Sequence, residues 1–317
     1  MTRNMFYRAA NIVQLSRFTL LAGSRLLCTQ TQAEPLTVRQ QNNGIRRITL
    51  NNPKKRNALS LSMLESLRGN ILADIDSDDL RVIVISAKGP VFSSGHDLKE
   101  LTSAQGRDYH TKVFQACSEV MTLIQDIPVP VIAMVNGVAT AAGCQLVASC
   151  DIAVVTEKST FATPGVNVGL FCSTPAVAIG RAVPKKVAME MLFTGSPISA
   201  QDALLHGLVS KVVPEERLEE ETLAIARRVC QASRPVVALG KATFHRSVCL
   251  STDVLPHCST QPFCLPCIHS LFALCFDVFV GLSGYPLIHL HAKRQQKTPS
   301  FLSRKINTMY MCSFIHI

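Results

Sequence analysis

Small residues follow an apolar run in the middle of the chain. The run, Val129–Val135, is interrupted only by Pro130 and lacks polar alternation, which predicts a buried strand. A turn at Asn136-Gly137 leads into a predicted helix, Ala141–Cys150, and the junction is built from Ala139, Ala141, Ala142 and Gly143. The first N–H groups of a helix lack internal acceptors and lie at the positive end of its dipole. The junction therefore suits a ligand whose carbonyl oxygen becomes an oxyanion close to the backbone.

Further motifs surround this junction in a fixed order. Upstream, Val91–Glu100 reads VFSSGHDLKE, and Asn52-Pro53 comes shortly before the RNAL of Arg56–Leu59. Downstream lie Thr194-Gly195, Ile198–Ala200 and Gly207–Val209. Taken in order over residues 36–246, these motifs and the NGVATAAGCQLVASCDIAV of the junction resemble the crotonase (enoyl-CoA hydratase/isomerase) superfamily.

The resemblance implies that the ligand is a CoA thioester, with no other cofactor and no metal. Its carbonyl oxygen is expected between the backbone N–H groups of His96 and Ala142, where Ala142 replaces the glycine more common in the family. The CoA contacts are expected at Lys55, Arg56, Ala58, Ser94, Gly95 and Leu98. Cationic side chains suit phosphate groups, although Lys55 and Arg56 are also typical of a solvated turn.

The acid and base positions depart from the family pattern. Hydratases that match these motifs carry two glutamates, and the chain has Gln145 and Gly165 at those positions. Related isomerases carry an aspartate where this chain has Asn167. A carboxamide or a glycine does not accept a proton near neutral pH, and losing one general acid or base typically costs 10²–10⁴ in rate. The sequence therefore predicts negligible hydratase activity, and predicts that restoring Gln145→Glu and Gly165→Glu together raises it if the pocket is otherwise competent.

Two other residues are weighed as chemical groups. The imidazole of His96 titrates near neutrality and is an alternative base, against the plainer interpretation of a packed histidine. Cys144 as a nucleophile has no evident base beside it.

Three functions stay open on the sequence. The first is an acyl-CoA-binding homologue of fatty-acid metabolism without hydratase activity. The second is an active isomerase, decarboxylase or thioesterase that uses another base. The third is a non-catalytic partner in mixed oligomers.

Charge and composition limit the alternatives. The chain has 317 residues, 47% hydrophobic residues, a mean hydropathy of +0.23 and a net charge of +10. Residues 1–33 carry +4 and residues 247–317 carry +3, which leaves +3 for the middle. The basic residues form no aromatic-and-basic recognition pattern, so nucleic-acid binding is not expected. The twelve cysteines are expected to be mostly free thiols in a reducing compartment.

The first 33 residues predict mitochondrial import. Met1–Ala33 contains four arginines spread among apolar residues and has no acidic residue. This composition is typical of a transit peptide for the matrix, while a membrane-surface helix or a disordered arm remains the alternative.

The middle of the chain, 34–246, predicts an α/β domain. Strand patterns such as Ile45–Leu50 and Leu80–Ser86 alternate with helical patterns such as Arg107–Gln125 and Glu215–Ala232. The resemblance implies more specifically a spiral of ββα units that assembles into trimers or hexamers.

The last segment, 247–317, does not continue the family's helical pattern and is expected to be a poorly ordered tail that weakens trimerisation. Its Cys264-x-x-Cys267 with His257 and His269 fits no common zinc spacing. The apolar Cys267–Leu282 contains Asp277 and is shorter than the roughly 20 residues of a membrane span, so no stable span is expected.

Overall fold

A computed structural model describes residues 34–253, with side chains described as far as His245. The predicted transit peptide at 1–33 and the tail from residue 254 lie outside the described residues. The strands are β1 (Thr37–Asn42), β2 (Ile45–Leu50), β3 (Val82–Ala87), β4 (Val91–Ser93), β5 (Val131–Val135), β6 (Val138–Thr140), β7 (Ile152–Thr156), β8 (Thr160–Ala162), β9 (Ile198–Ser199) and β10 (Lys211–Val213). The helices are α1 (Leu61–Leu72), α2 (Gly106–Asp126), α3 (Ala142–Ser149), α4 (Ser173–Ala182), α5 (Lys185–Thr194), α6 (Ala200–Leu205), α7 (Leu218–Gln231) and α8 (Arg234–Asp253).

A six-stranded sheet forms the centre of the domain, in the order β1-β2-β3-β5-β7-β10. Only the β1–β2 pair is antiparallel, as their connection by the short turn at Asn43-Gly44 requires. Both faces are covered. Ile83 and Ile85 of β3 belong to the core that includes residues of α1, α2 and α3, whereas Val82 and Val84 belong to the core beneath α7. This two-sided burial explains why β3 and β5 read as continuous apolar runs.

A second sheet has four short strands, in the order β4-β6-β8-β9. β4, β6 and β8 are parallel neighbours. The chain repeats one unit three times: a long strand in the large sheet, a short strand in the small sheet and then a helix, as in β3-β4-α2, β5-β6-α3 and β7-β8-α4. This repetition confirms the predicted α/β class with ββα units, and it places the carboxyl ends of three short strands side by side.

Local signals fix the element ends. Ser60 caps α1, because its hydroxyl accepts a hydrogen bond from Met63 N at 3.3 Å. The helix ends at Leu72. Arg46 is buried and donates to the carbonyl groups of Asn70 and Ile71 at the end of α1, at 3.4 and 3.2 Å. These bonds satisfy carbonyl oxygens at the end of the helix, which accept no hydrogen bond from the helix's own N–H groups.

The first of two compact units of the chain ends at Leu250, within α8. Within the described part of the chain, no helix is long and apolar enough to cross a membrane. Five cysteines of that part, Cys117, Cys144, Cys150, Cys172 and Cys230, are free thiols.

Candidate functional site

Three predicted site segments follow three neighbouring strands. Ser94-Gly95-His96 comes directly after β4, Ala141-Ala142 after β6, and Thr163-Pro164-Gly165 after β8. Because β4, β6 and β8 are parallel, the segments leave the sheet at the same edge. Ligands of open α/β sheets bind outside such carboxyl ends. The structure thus brings together the residues that the motifs only placed in sequence.

The first two segments approach each other at backbone distance. A β-carbon added to Gly95 would lie 2.9 Å from Ala141 Cβ and 3.2 Å from Ala142 N. Gly143 is equally constrained, because its β-carbon would lie 2.5 Å from Ser93 O. Only glycine permits these contacts, and Gly95 in addition has a φ of 85°. The loop that carries His96 therefore lies against the first turn of α3.

The start of α3 leaves amide donors available. Ala141 N donates to Ala162 O at 2.9 Å and Gln145 N donates to Ala141 O at 3.0 Å. The N–H of Ala142, at the first helical position, has no acceptor within the helix. Ala141 has no side-chain group that caps the helix.

Ala142 is not among the residues with positive φ, so its backbone accommodates a β-carbon. Its neighbour Ala141 is instead the strained residue, with φ 49° and ψ −119°. Backbone of this kind costs on the order of 1–3 kcal/mol in a residue with a β-carbon.

His96 is held by its ring and by its backbone. Its Nδ1 lies 3.3 Å from Leu59 O, and its ring meets that of Phe114 edge-on with centroids 5.3 Å apart. Burial lowers the pKa of His96, against smaller opposing effects of the Leu59 carbonyl and the Glu100 charge. The imidazole is therefore neutral at neutral pH.

Gln145 lies on the first turns of α3 and is 6% exposed. Among the residues whose side chains the structure describes, two buried side-chain polar atoms have no hydrogen-bond partner, Gln145 Oε1 and His96 Nε2. His96 belongs to the loop that contains Gly95, and Gln145 belongs to α3, whose first turn this loop contacts. Because buried polar atoms are nearly always paired, this coincidence indicates a place where a ligand supplies the missing bonds.

Gly165 lies where the chain has no room for a side chain. A β-carbon there would lie 2.8 Å from both Cys172 Sγ and Leu170 O. Burial raises the pKa of the Cys172 thiol, partly offset by a hydrogen bond from the Gly165 backbone. Asn167 is exposed, and its amide nitrogen would be 2.8 Å from a β-carbon on Gly195. Neither position provides a group that titrates near neutrality.

The predicted CoA-contact residues come from two adjacent segments. Ser94 N donates to Arg56 O at 3.0 Å, and Leu59 N donates to Gly95 O at 2.7 Å. Lys55 Nζ lies 3.3 Å from Asp97 Oδ2, and the Lys55 side chain is more than half exposed. Leu98 is exposed and Ala58 is buried. The structure therefore brings Lys55–Ala58 beside Ser94–Leu98; whether they contact CoA stays a prediction.

Comparison with known proteins decides the family. A model of the family described as enoyl-CoA hydratase/isomerase matches residues 40–257. The chain belongs to the enoyl-CoA hydratase/isomerase family. The match extends past the predicted boundary at Arg246, as does α8, which reaches Asp253.

Several relatives and solved structures resemble this family member over most of the described region. Enoyl-CoA hydratase domain-containing protein 3, mitochondrial, is 72% identical in Rattus norvegicus over 218 residues, 68% of this chain and 73% of that protein. The Homo sapiens protein of the same name is 70% identical over 219 residues, 69% of this chain and 72% of that protein. The crystal structure of the human protein has a TM-score of 0.70 and 63% identity, covering 78% of this chain and 91% of that chain. An enoyl-CoA hydratase from Mycobacterium smegmatis has a TM-score of 0.70 and 41% identity, covering 80% and 93%. The fold is thus the crotonase fold, as predicted.

Sequence reasoning missed one side chain of this crotonase site, Phe114 on α2, which packs against His96. Cys172, before α4, is expected from the sequence in an apolar pocket wall, but its position beside Gly165 is not. Neither contact has a sequence signal, because each depends on the tertiary fold.

A cavity of about 600 Å³ elsewhere in the crotonase domain is lined by residues of α7, α8 and the start of β7, and by none of the predicted site residues. Three of its polar side chains, Lys241, Asp151 and His245, are paired. Lys241 Nζ bonds Ile124 O, Val129 O and Asp151 Oδ2 at 2.7–2.9 Å, and His245 Nε2 lies 3.2 Å from Asp151 Oδ1. These contacts join α8 to the sheet.

Proposed function

We propose that the protein binds acyl-CoA thioesters through the backbone N–H groups of His96 and Ala142 and has little or no enoyl-CoA hydratase activity. The close approach of Gly95 to Ala142 N is the observation that carries the proposal. It puts a loop amide beside the uncapped first turn of α3, which is the arrangement that stabilises a carbonyl oxygen as negative charge develops.

The lack of hydratase activity is supported by the side chains around the two amides. Gln145 and Gly165 do not titrate near neutrality, and burial raises the pKa of Cys144 to about 12. Backbone donors survive such side-chain changes, so binding and turnover are separable in this site. Fatty-acid metabolism follows as the proposed setting, because long and short acyl groups are carried there as CoA thioesters.

The proposed location is the mitochondrial matrix. The relatives with 67–73% identity are named mitochondrial, and Met1–Ala33 has the composition of a transit peptide. A fusion of residues 1–40 to a fluorescent reporter tests the proposal, and a cytosolic reporter contradicts it.

The proposed assembly is a homo-oligomer of the family type, weakened by the segment 247–317. Light scattering after size-exclusion chromatography of residues 34–317 tests this. A stable trimer that dissociates when the chain is cut at Arg246 would show that the segment contributes to assembly, and the proposed boundary would then be wrong.

The binding proposal is tested with two matched ligands, butyryl-CoA and S-butyl-CoA. The thioether S-butyl-CoA has the same chain and the same CoA group but no carbonyl oxygen. Two hydrogen bonds of about 1 kcal/mol each correspond to roughly thirty-fold tighter binding of the thioester. Calorimetry measures both affinities. Equal affinities would contradict the two-amide site, and no binding of either ligand would contradict acyl-CoA binding altogether.

A further inference from the structure

His96 has a feature that thioester binding by its backbone leaves unused. Its Nδ1 lies 3.3 Å from Leu59 O. A carbonyl oxygen only accepts hydrogen bonds, so Nδ1 carries the ring hydrogen and Nε2 of the neutral imidazole carries a lone pair. Nε2 is buried and has no hydrogen-bond partner among the described residues. The ring is thus oriented by the backbone and has a free basic atom.

The surroundings keep this atom unprotonated at neutral pH. Phe114 covers the ring edge-on, and burial lowers the pKa of His96. The Leu59 carbonyl and the Glu100 carboxylate act in the opposite direction but are the smaller effects. Glu100 is itself engaged, since its Oε2 accepts a hydrogen bond from Leu61 N at 2.8 Å.

Other groups near the junction are unsuited to accept a proton. Burial raises the pKa of Cys144 to about 12 and raises that of Cys172, so both thiols stay protonated. The carboxamide of Gln145 is not a base. Its unpartnered Oε1 marks space for a ligand next to the same turn of α3.

In the proposed complex, the backbone of His96 and the carbon next to the thioester carbonyl are related through the bound oxygen. In the proposed complex the amide of His96 holds the thioester oxygen, and C2 of the acyl group is two bonds away from that oxygen. Removal of a C2 proton sends negative charge to the same oxygen. One residue therefore provides a backbone donor to the oxygen and, on its own side chain, the unpaired Nε2 lone pair.

We propose that His96 Nε2 accepts a proton from C2 of a bound acyl-CoA, which makes His96 a catalytic residue for enolate formation. The C2–H bond breaks, an Nε2–H bond forms, and the electron pair moves to the thioester oxygen between the N–H groups of His96 and Ala142. The imidazolium exchanges this hydrogen for one from solvent, which requires water to reach Nε2. The solvent-derived hydrogen then moves to C2, where a C–H bond forms as the electron pair returns from the thioester oxygen. The net reaction is solvent exchange at C2 and needs no carboxylate at positions 145 or 165. This inference rests on the proposed acyl-CoA binding.

The experiment follows deuterium incorporation into butyryl-CoA in D₂O with the full chain. Mass spectrometry of the recovered butyryl group and proton NMR of C2 measure the exchange, and calorimetry on the same samples measures binding. We expect exchange above the buffer rate. Its rate constant should be level above about pH 6.5, the ordinary pKa of histidine, and should fall at lower pH as Nε2 becomes protonated.

The variant His96→Gln keeps the backbone amide and removes the basic nitrogen. It should bind butyryl-CoA within about threefold of the parent, lose exchange by about 10²-fold, and lose the acid limb of the pH profile. The matched control is His110→Gln on α2, where Nε2 pairs with Thr102 O at 3.0 Å; it should exchange like the parent.

The outcomes separate the two proposals. Binding without exchange, or equal exchange by His96→Gln, overturns the assignment of His96 and leaves acyl-CoA binding intact. No binding of butyryl-CoA to the parent overturns both. If His96→Gln unfolds, His96→Asn serves as the second variant, with thermal unfolding as the check on folding.

Discussion

The β-carbon that Gly165 lacks would lie 2.8 Å from the Sγ of Cys172 and 2.8 Å from the backbone oxygen of Leu170. The Cys172 side chain can rotate away, but the Leu170 carbonyl group is part of the backbone that leads into α4 and cannot move alone. The neighbouring atoms therefore leave no space for a side chain at position 165. The predicted rescue through Gln145→Glu and Gly165→Glu together requires the Leu170–Cys172 segment to move first.

Gly165→Ala is expected to destabilise the domain by about 1–3 kcal/mol, because the added methyl group overpacks this segment. Urea denaturation measures the change. The matched control is Gly180→Ala in α4, where a β-carbon meets nothing within 4 Å. The control should stabilise the protein by about 0.5–1 kcal/mol through helix propensity. If Gly165→Ala does not change the free energy of unfolding, the Leu170–Cys172 segment moves aside at little cost.

Gln145→Glu alone is expected to raise hydration of crotonyl-CoA by about 10²-fold over the parent, because it introduces a proton acceptor on the first turns of α3. Burial of the site favours a raised carboxyl pKa, which brings the base closer to neutrality. The decrease of enoyl absorbance measures hydration.

The control for this variant is Gln115→Glu on α2, where the amide is exposed and pairs with Glu119; it should leave the parent rate unchanged. A Gln145→Glu protein that binds crotonyl-CoA without faster hydration would show that the second carboxylate is indispensable.

An element was predictable from the sequence where its pattern is long. β5 was predicted from a long apolar run and α2 from a long periodic pattern, because both patterns reflect which residues are buried. The motifs located the site positions His96, Ala142, Gln145 and Gly165. β4, β6 and β8 were missed because each has three residues. The contact between Gly165 and Cys172 and the buried bonds of Arg46 depend on tertiary packing, for which the sequence has no periodic pattern.

Ala141→Gly is expected to stabilise the protein, because glycine adopts φ 49° and ψ −119° without the strain imposed by a β-carbon. Relief of about 1–3 kcal/mol outweighs the 0.4–1 kcal/mol by which glycine stabilises the unfolded chain. Thermal and urea unfolding measure the net gain, about 1 kcal/mol. Ala148→Gly, in the same helix with ordinary backbone angles, should lose about that amount. Equal losses in both variants would refute the strain at Ala141.

His96 is also expected to make the domain less stable in mild acid. Burial lowers its pKa in the folded state below the ordinary value of about 6.5, so the folded protein binds fewer protons than the unfolded chain in that window. Stability then rises with pH through the window and is lost as pH falls through the folded pKa.

The measurement is the difference between urea midpoints at pH 7 and pH 5, for the parent and for His96→Gln. The pH range 5–7 excludes the effect of the carboxyl groups with lowered pKa values, which are Asp202, Glu215 and Glu221. These groups change the stability only below their ordinary pKa values of 3.8 for aspartate and 4.5 for glutamate. The variant should show a smaller difference between the two midpoints, because the glutamine side chain does not bind a proton in this pH range. An unchanged difference would mean that imidazolium formation at position 96 costs the folded state nothing.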